Sequence, residues 1–453
     1  MCTIRSRFTF SLSKVTVIIP SIFAATLALL SPSAQAVPSF ARQTGQNCVA
    51  CHAGGQFPEL TPYGRMFKLT GYTIGERTIP LSGMGLIGYT KTRNTTGVDD
   101  VAGTFPKNAA PAFQAGSVFV AGKITDNLGI FGQWTYNNYS GVDGFTGHSQ
   151  LDNTELRYAD RFISPANDLI VGAIVNNNPS MQDVWNSTPA WSYPYVSSAF
   201  AQTPSAAPII AGLGQSVAGY GAYAYWNKTV YAELSMYQTA NRAWSVFSSG
   251  VNNASTTKLK GGNPYWRLAL TKEWGAHNVM LGMFGMMAKV YPDATAPEGE
   301  TSRQRDYGID SQYQYILDPH TITAQASYIR EKADWAATVG AANPSDTLNQ
   351  LKLKATYIYR AKYGASLSYQ KTSGDTDSGI YTAAGNQVTD NLSGNPGARV
   401  WIPEVFWTPV QYVRIGAQYW HYTQFNGAKT NYDGFNRDAK ANDTLFVYIW
   451  GAY

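Results

Sequence analysis

What most constrains this chain is an alternation of apolar and polar residues that recurs, about ten residues at a stretch, from near Met84 to the last residue. Between residues 229 and 238, Val230, Ala232, Leu234 and Met236 fall on one face, and Tyr231, Glu233, Ser235 and Tyr237 on the other. Residues 350–359 set Leu351, Leu353, Ala355, Tyr357 and Tyr359 against Gln350, Lys352, Lys354 and Thr356. Residues 411–420 set Val413, Ile415, Ala417 and Tyr419 against Arg414 and Gln418. A period of two is that of a strand with one apolar face. About ten residues is also what a tilted strand needs to cross hydrocarbon. A charge inside such a strand is tolerable only if it faces a lumen or water.

About sixteen such segments occur, beginning near Met84, Phe113, Gly129, Gln150, Asp168, Gln215, Thr229, Pro264, Ala276, Gln304, Thr321, Asp346, Lys362, Ala398, Gln411 and Lys440. Short connections at 125–128, 164–167, 227–228, 273–275, 318–320, 361 and 408–410 alternate with long ones. The long ones lie at about 94–112, 139–149, 177–214, 241–263, 290–303, 332–345, 372–397 and 425–439. Short periplasmic turns and long external loops are the asymmetry of outer-membrane barrels. The expected fold is an all-β transmembrane barrel of about 16 antiparallel strands, with both termini on the periplasmic side. The apolar-aromatic stretch 445–453 resembles the closing strand of such barrels.

Composition agrees. Charged residues are 14% of the chain, below the roughly one quarter of soluble proteins, while Tyr and Trp number 30 and 12. Beyond the N-terminal region no apolar run is long enough for a spanning helix. Alternation averages to a mean hydropathy of −0.23, as in a barrel wall with a polar interior. The soluble alternative is an exported β-propeller or sandwich.

Residues 1–36 read as a signal peptide. Arg5, Arg7 and Lys14 form a positive start, residues 15–30 an apolar core, and Ala34-Gln35-Ala36 a small-residue cleavage site. Three regions result: a signal at 1–36, a small segment at 37–83 and the barrel at 84–453. Without the signal's three basic residues the 34 Lys and Arg become 31, against 29 acidic residues, so the net charge falls from +5 to +2. Such a balance gives no electrostatic case for nucleic acid. Of 3 cysteines, Cys2 falls in the signal, which leaves Cys48 and Cys51.

These two lie in Cys48-Val49-Ala50-Cys51-His52, a C-x-x-C-H run that is the attachment signature of a c-type haem. Each thiol can add to one haem vinyl group, and the adjacent imidazole can bind the iron. A zinc half-site or a redox dithiol are the other uses of C-x-x-C. Zinc wants further ligands at finger spacing, but the next histidine is His148 and no other cysteine follows. A dithiol wants a βαβ pattern, and none surrounds the motif. A covalent haem just inside an exported N-terminus points to electron transfer outside the cytoplasm. Thr61 as N-cap, Pro62 as N1 and Gly71 as stop bracket a short helix over 62–70. The segment 37–83 is too small to shield a haem alone, so the barrel wall is expected to complete the pocket around a lumenal plug.

The stretches PSFARQTG (38–45), CVACH (48–52) and PELTPYGRMFKLTGY (58–72) resemble the N-terminus of the fused monohaem cytochrome–porin family. NNNPSMQDVWNSTPAWSYPY (176–195) looks like the long loop of that family. The resemblance implies one covalently bound haem c and a barrel of about sixteen strands. It implies electrons passed inward from extracellular Fe(II), or another one-electron donor, to a periplasmic carrier such as a soluble cytochrome. The bound partners would be outer-membrane lipid and no nucleic acid. The alternative is an outer-membrane diffusion porin with a haem-bearing plug or redox-sensing segment. A haem enzyme such as a peroxidase is a third reading.

Candidate cofactor residues are Cys48, Cys51 and His52, with His52 as the axial iron ligand. Arg42 and Arg65 flank the motif and are candidates for haem propionates. Met66 is the candidate sixth ligand, with Met280 and Met286 as lumen-facing alternatives on the strand near 276–289. The loop acids Asp99, Asp100, Asp293, Glu298, Glu300, Asp375, Asp377 and Asp433 could gather a cation, but loop acids are usually only solvated. Neither a catalytic triad nor a phosphate loop is visible, so no catalytic residue is expected.

Overall fold

The computed structural model describes residues 38–55, 58–95, 108–137, 148–191, 193–249, 256–382 and 388–453. The expected signal peptide, with Cys2, and the loop acids Asp99 and Asp100 lie outside them. The described residues belong to one compact unit, Gln35–Tyr453.

Among the described residues, sixteen antiparallel strands close a single barrel. They are β1 Leu81–Thr92, β2 Pro111–Lys123, β3 Leu128–Asn137, β4 His148–Ile163, β5 Asp168–Asn176, β6 Val217–Trp226, β7 Val230–Thr239 and β8 Asn263–Trp274. The second half is β9 His277–Val290, β10 Ser302–Leu317, β11 His320–Asp334, β12 Ser345–Tyr359, β13 Tyr363–Gly374, β14 Ala398–Val410, β15 Val413–Gln424 and β16 Thr444–Ala452. Each strand pairs with its neighbours in sequence, and β16 closes on β1 from Met84↔Ala452 to Thr92↔Thr444. Closure leaves no sheet edge, the condition for backbone to sit in hydrocarbon with its polar groups paired.

The alternation read from sequence is the alternation of the wall. Leu234, Leu281, Ile309 and Val405 are about 60% exposed on the outside. Their neighbours Glu233, Ser235, Met280 and Asp310 are buried inside. Outward aromatics form two rims, one of Trp226, Trp274, Tyr363 and Trp407 near the short turns and one of Trp134, Tyr307, Tyr328, Trp401 and Tyr419 near the long loops. An apolar belt between two aromatic girdles is the outer surface of a membrane barrel.

The turns explain the register. Asn227 and Lys228 both have positive φ (48° and 53°), as do Arg360 and Ala361 (53° and 51°). These are two-residue hairpins of the kind whose twist matches the strands. Boundaries differ from expectation by a few residues, chiefly at three places. The barrel begins at Leu81 rather than Met84. Residues 408–410 continue β14, with the pairing register shifting between Trp407 and Val410, because a bulge accommodates the missing N–H of Pro409. The last strand begins at Thr444, since Ala439–Asn442 forms a 3₁₀ turn.

The larger correction concerns the connection between β5 and β6, residues 177–216, read from sequence as an external loop. It turns into the barrel. Met181, Val184, Trp185, Ile210 and Leu213 are at most 2% exposed. Inward glutamines from around the wall hold its backbone. Gln312 donates to Trp185 O (2.6 Å), Gln325 to Asn186 O (3.0 Å), Gln370 to Tyr193 O (3.0 Å) and Gln418 to Val196 O (2.8 Å). Arg267 adds ion pairs to loop Asp183 (3.3 Å) and to Asp310 of β10 (2.7 Å). A lumen lined with amide donors can satisfy an irregular backbone that lipid could not.

Candidate functional site

Among the described residues, three short α-helices precede β1: α1 Pro38–Thr44, α2 Cys48–Cys51 and α3 Pro62–Leu69. The C-x-x-C run makes one turn, closed by His52 N donating to Cys48 O at 2.8 Å. His52 then leaves the helix in an extended conformation and pairs with Leu60 in an antiparallel bridge. Ala53 N to Glu59 O and Thr61 N to Cys51 O, both 2.9 Å, tie the two halves of this small loop. Thr61 is the expected cap. Its hydroxyl accepts from Gly64 N (3.1 Å) and donates to Ala50 O, which binds the start of α3 to α2. Gly64 is required there, since a Cβ would lie 2.1 Å from Cys51 O. Gly71, at φ 74°, stops the helix as expected.

Side chains from inward strand faces grip the segment on several sides. Lys354 of β12 pairs with Glu59 at 2.6 Å. Tyr72 donates to Glu155 of β4 at 2.8 Å, and Tyr223 of β6 donates to Leu69 O. Gln43 accepts from Lys123 N of β2 at 2.8 Å. Cys48 Sγ lies 3.5 Å from Gln411 O in the β14–β15 turn, so the motif sits at the short-turn end.

Cys48, Cys51 and His52 open into one cavity with about 1060 Å³ of empty space, its mouth included. Phe40, Phe67 and Tyr72 of the segment, Met84, Phe119 and Phe131 of the wall, Trp450 of β16, and Met181, Trp191 and Tyr195 of the inward loop complete it. Phe40 stacks on Tyr72 (5.2 Å) and meets Phe67 edge-on (4.9 Å), and Tyr195 lies between Trp191 (6.1 Å) and Trp450 (6.2 Å). Gln46 and Asn47 are exposed and form part of the rim.

Burial sets the protonation of the motif. It lowers the His52 pKa to about 4, against a hydrogen bond to the Glu59 backbone that works the other way, so the imidazole is neutral with a lone pair to offer. Burial, with Cys48 beside it, raises Cys51 to about 11. That is the reverse of an activated dithiol, whose thiol pKa is depressed. Among the described residues no group of three His, Cys, Asp or Glu side chains is placed to hold a metal ion.

The other candidates lie elsewhere. Arg42 is exposed and donates to the carbonyls of Ile79 (3.4 Å) and Leu81. Arg65 is buried and donates to Leu60 O (2.9 Å), Gln314 (2.9 Å) and Asn278 (2.9 Å), with Glu273 at 3.5 Å. Neither lines the cavity of Cys48. Arg65 and Met66 line a separate polar cavity with Glu273, Trp185 and Tyr225. Met280 and Met286 face inward as expected but pack within the core clusters around Trp185 and Phe284. Of the loop acids, Asp377 caps Ser378–Tyr381, while Asp293, Asp375 and Asp433 accept from nearby backbone N–H groups.

The cation on the cavity is Lys68, which sequence reasoning missed. Its Nζ donates to Met181 O (2.6 Å) and Asp183 O (3.0 Å) and lies 4.7 Å from the centre of the Trp191 ring. Burial lowers its pKa to about 8, with Glu155 opposing. Met181, Trp191 and Tyr195 were also missed, because nothing in the period-2 pattern says that a long loop turns inward.

No family model matches the sequence, and no curated protein matches it. Solved structures of similar shape include OmpF of Salmonella typhi, in a complex with daunomycin, at 13% identity and a TM-score of 0.45, covering 82% of this chain and 97% of that one. DcaP, an outer membrane channel of Acinetobacter baumannii, is 11% identical at a TM-score of 0.43, over 82% and 96%. A loop-deletion mutant of OmpT, an outer membrane protein of Vibrio cholerae, is 12% identical at 0.41, over 83% and 99%.

Proposed function

We propose that this chain is an outer-membrane c-type cytochrome–porin fusion that carries electrons inward, from extracellular Fe(II) to a periplasmic carrier. The observation that carries the reading is that Cys48, Cys51 and His52 share one largely apolar cavity bounded by segment, wall and inward loop. The donors fit a haem. The two thiols stand one helical turn apart, and the imidazole is neutral. Cys48 and Cys51 would hold the group through two thioethers, each S–H adding across one vinyl C=C bond with no by-product. His52, tied to Leu60 by its backbone bridge, would give the iron a nitrogen. Phe40, Phe67, Phe119 and Phe131, which line the cavity, would keep water from the group. A haem held there supplies a one-electron ferrous–ferric couple within the thickness of an insulating bilayer.

The substrate side follows from the same chemistry and from the resemblance of residues 38–72 and 176–195. Fe(II) loses one electron and its product precipitates near neutral pH, so oxidation outside keeps the solid out of the cell. In this reading the short-turn end, with the motif and both ends of the barrel sequence, faces the periplasm, and the long loops face outward. The N-terminal segment and residues 177–216 within the lumen favour a conduit over an open diffusion porin. The test is Fe(II) added to the loop side of protein in sealed vesicles. The haem spectrum should become that of the reduced form, and His52→Ala should lose the response while the barrel still inserts. A wild-type haem that stays oxidised with Fe(II), yet is reduced from the short-turn side, contradicts the inward direction.

A further inference from the structure

The cavity contains a second group of the right chemistry for iron. We propose that Met181, on the inward loop, is the distal axial ligand of the haem iron, facing the nitrogen given by His52. This rests on the haem reading above.

Two further cavity side chains, Met84 and Met181, carry a thioether, a neutral soft donor that needs no deprotonation. Three other lining groups are engaged or protonated, and the one buried amide oxygen without a partner, Asn186 Oδ1, is a hard donor that suits iron less than a thioether does. Tyr72 donates its hydroxyl to Glu155 at 2.8 Å. Burial raises the Tyr195 phenol well above its usual range, so no phenolate is on offer. Lys68 is committed to two carbonyls and an indole face.

Met181 differs from Met84 in how firmly it is held. Its carbonyl accepts from Lys68 Nζ (2.6 Å) and from Trp191 Nε1 (3.0 Å), and both donors line the same cavity. Its N–H donates to Asn178 O at 3.2 Å, and Ser180 before it takes the left-handed conformation at φ 71°. The residue is 1% exposed. A tight turn, braced by a lysine from the haem segment, thus fixes Met181 in the lining of the cavity. Met84 sits on a regular strand and packs with Phe119 and Trp450 as part of the apolar wall. Met66 opens on the other cavity.

The experiment uses full-length haem-loaded protein with Met181→Leu, Met84→Leu and Met66→Leu. Wild type, M84L and M66L should show the weak red-region charge-transfer band of a ferric–thioether bond, and their ferrous forms should bind carbon monoxide slowly. M181L should keep its haem on a denaturing gel, lose that band, bind carbon monoxide readily and show a lower reduction potential. If M181L loads poorly, Met181→His should give a six-coordinate low-spin haem at a lower potential. Retention of the band by M181L, its loss in M84L, or an M181H spectrum and potential identical to wild type overturns the assignment. Haem absent from the denatured wild-type chain overturns the haem reading instead.

Discussion

Lys354→Met should detach the N-terminal segment from the barrel wall without unfolding the wall. Lys354 Nζ lies 2.6 Å from Glu59 Oε1, and both side chains are 6% exposed. The nearby Glu404 keeps its own cation, Arg414, at 3.0 Å. The variant therefore takes from Glu59 its hydrogen-bonded cation and leaves it only the weaker pull of Arg414. Removing one member of a buried pair costs roughly 3–5 kcal/mol. At about 1.4 kcal/mol per tenfold, the open population of residues 58–72 should rise about 10²- to 4 × 10³-fold. Amide hydrogen exchange on reconstituted protein reads this directly, with the β10–β11 amides as an internal reference. Because Ala53 N bonds Glu59 O and His52 bridges Leu60, the same opening should loosen the imidazole and alter the haem spectrum. The double variant Glu59→Gln/Lys354→Met, with neither charge, should recover most of the protection. Exchange in K354M within about threefold of wild type, with the barrel intact, would refute the claim that this pair holds the segment.

Three further outcomes follow. Gly64→Ala places a Cβ 2.1 Å from Cys51 O, so α3 must move off α2. Haem stain per folded barrel should fall while heat-modifiable gel mobility is unchanged. Gln418→Leu removes the donor to Val196 O and leaves a loop carbonyl unpaired at roughly 1–3 kcal/mol, so conductance in planar bilayers should show intermittent openings that wild type lacks. A cysteine at Lys228 should react with a membrane-impermeant reagent only after the outer membrane is opened, whereas a tag within residues 293–300 should be reached on intact cells; the reverse pattern would invert the topology.

The barrel was legible because its signal is periodic and repeated. One face of each strand meets lipid and the other the lumen, so the inward charges Glu233, Lys354 and Arg414 announced themselves by position. Boundaries slipped where local chemistry overrode the pattern, as at Pro409, where a bulge carries the strand through a residue that usually ends one. The motif Cys48–Cys51, with its helix cap at Thr61 and stop at Gly71, was equally local and therefore readable. What was not local was not readable. Arg42 and Arg65 lie close to the motif in sequence, yet they satisfy carbonyls and amides outside the cavity. Met66 lies on α3, but it lines a different cavity from that of Cys51. Lys68, two residues further on, contributes to the cavity and grips Met181, a contact spanning 113 residues. Its signal would have been the inward loop, and the trace of that loop in sequence is the set of lumen-facing glutamines on separate strands, each waiting for a backbone carbonyl.

The central claim is tested most directly by the mass of the peptide that contains residues 48–52, taken from purified protein denatured in the presence of a thiol alkylating reagent. The account predicts one peptide carrying one haem, with both cysteines unreactive. Recovery of that peptide without haem and with Cys48 and Cys51 both alkylated would contradict it.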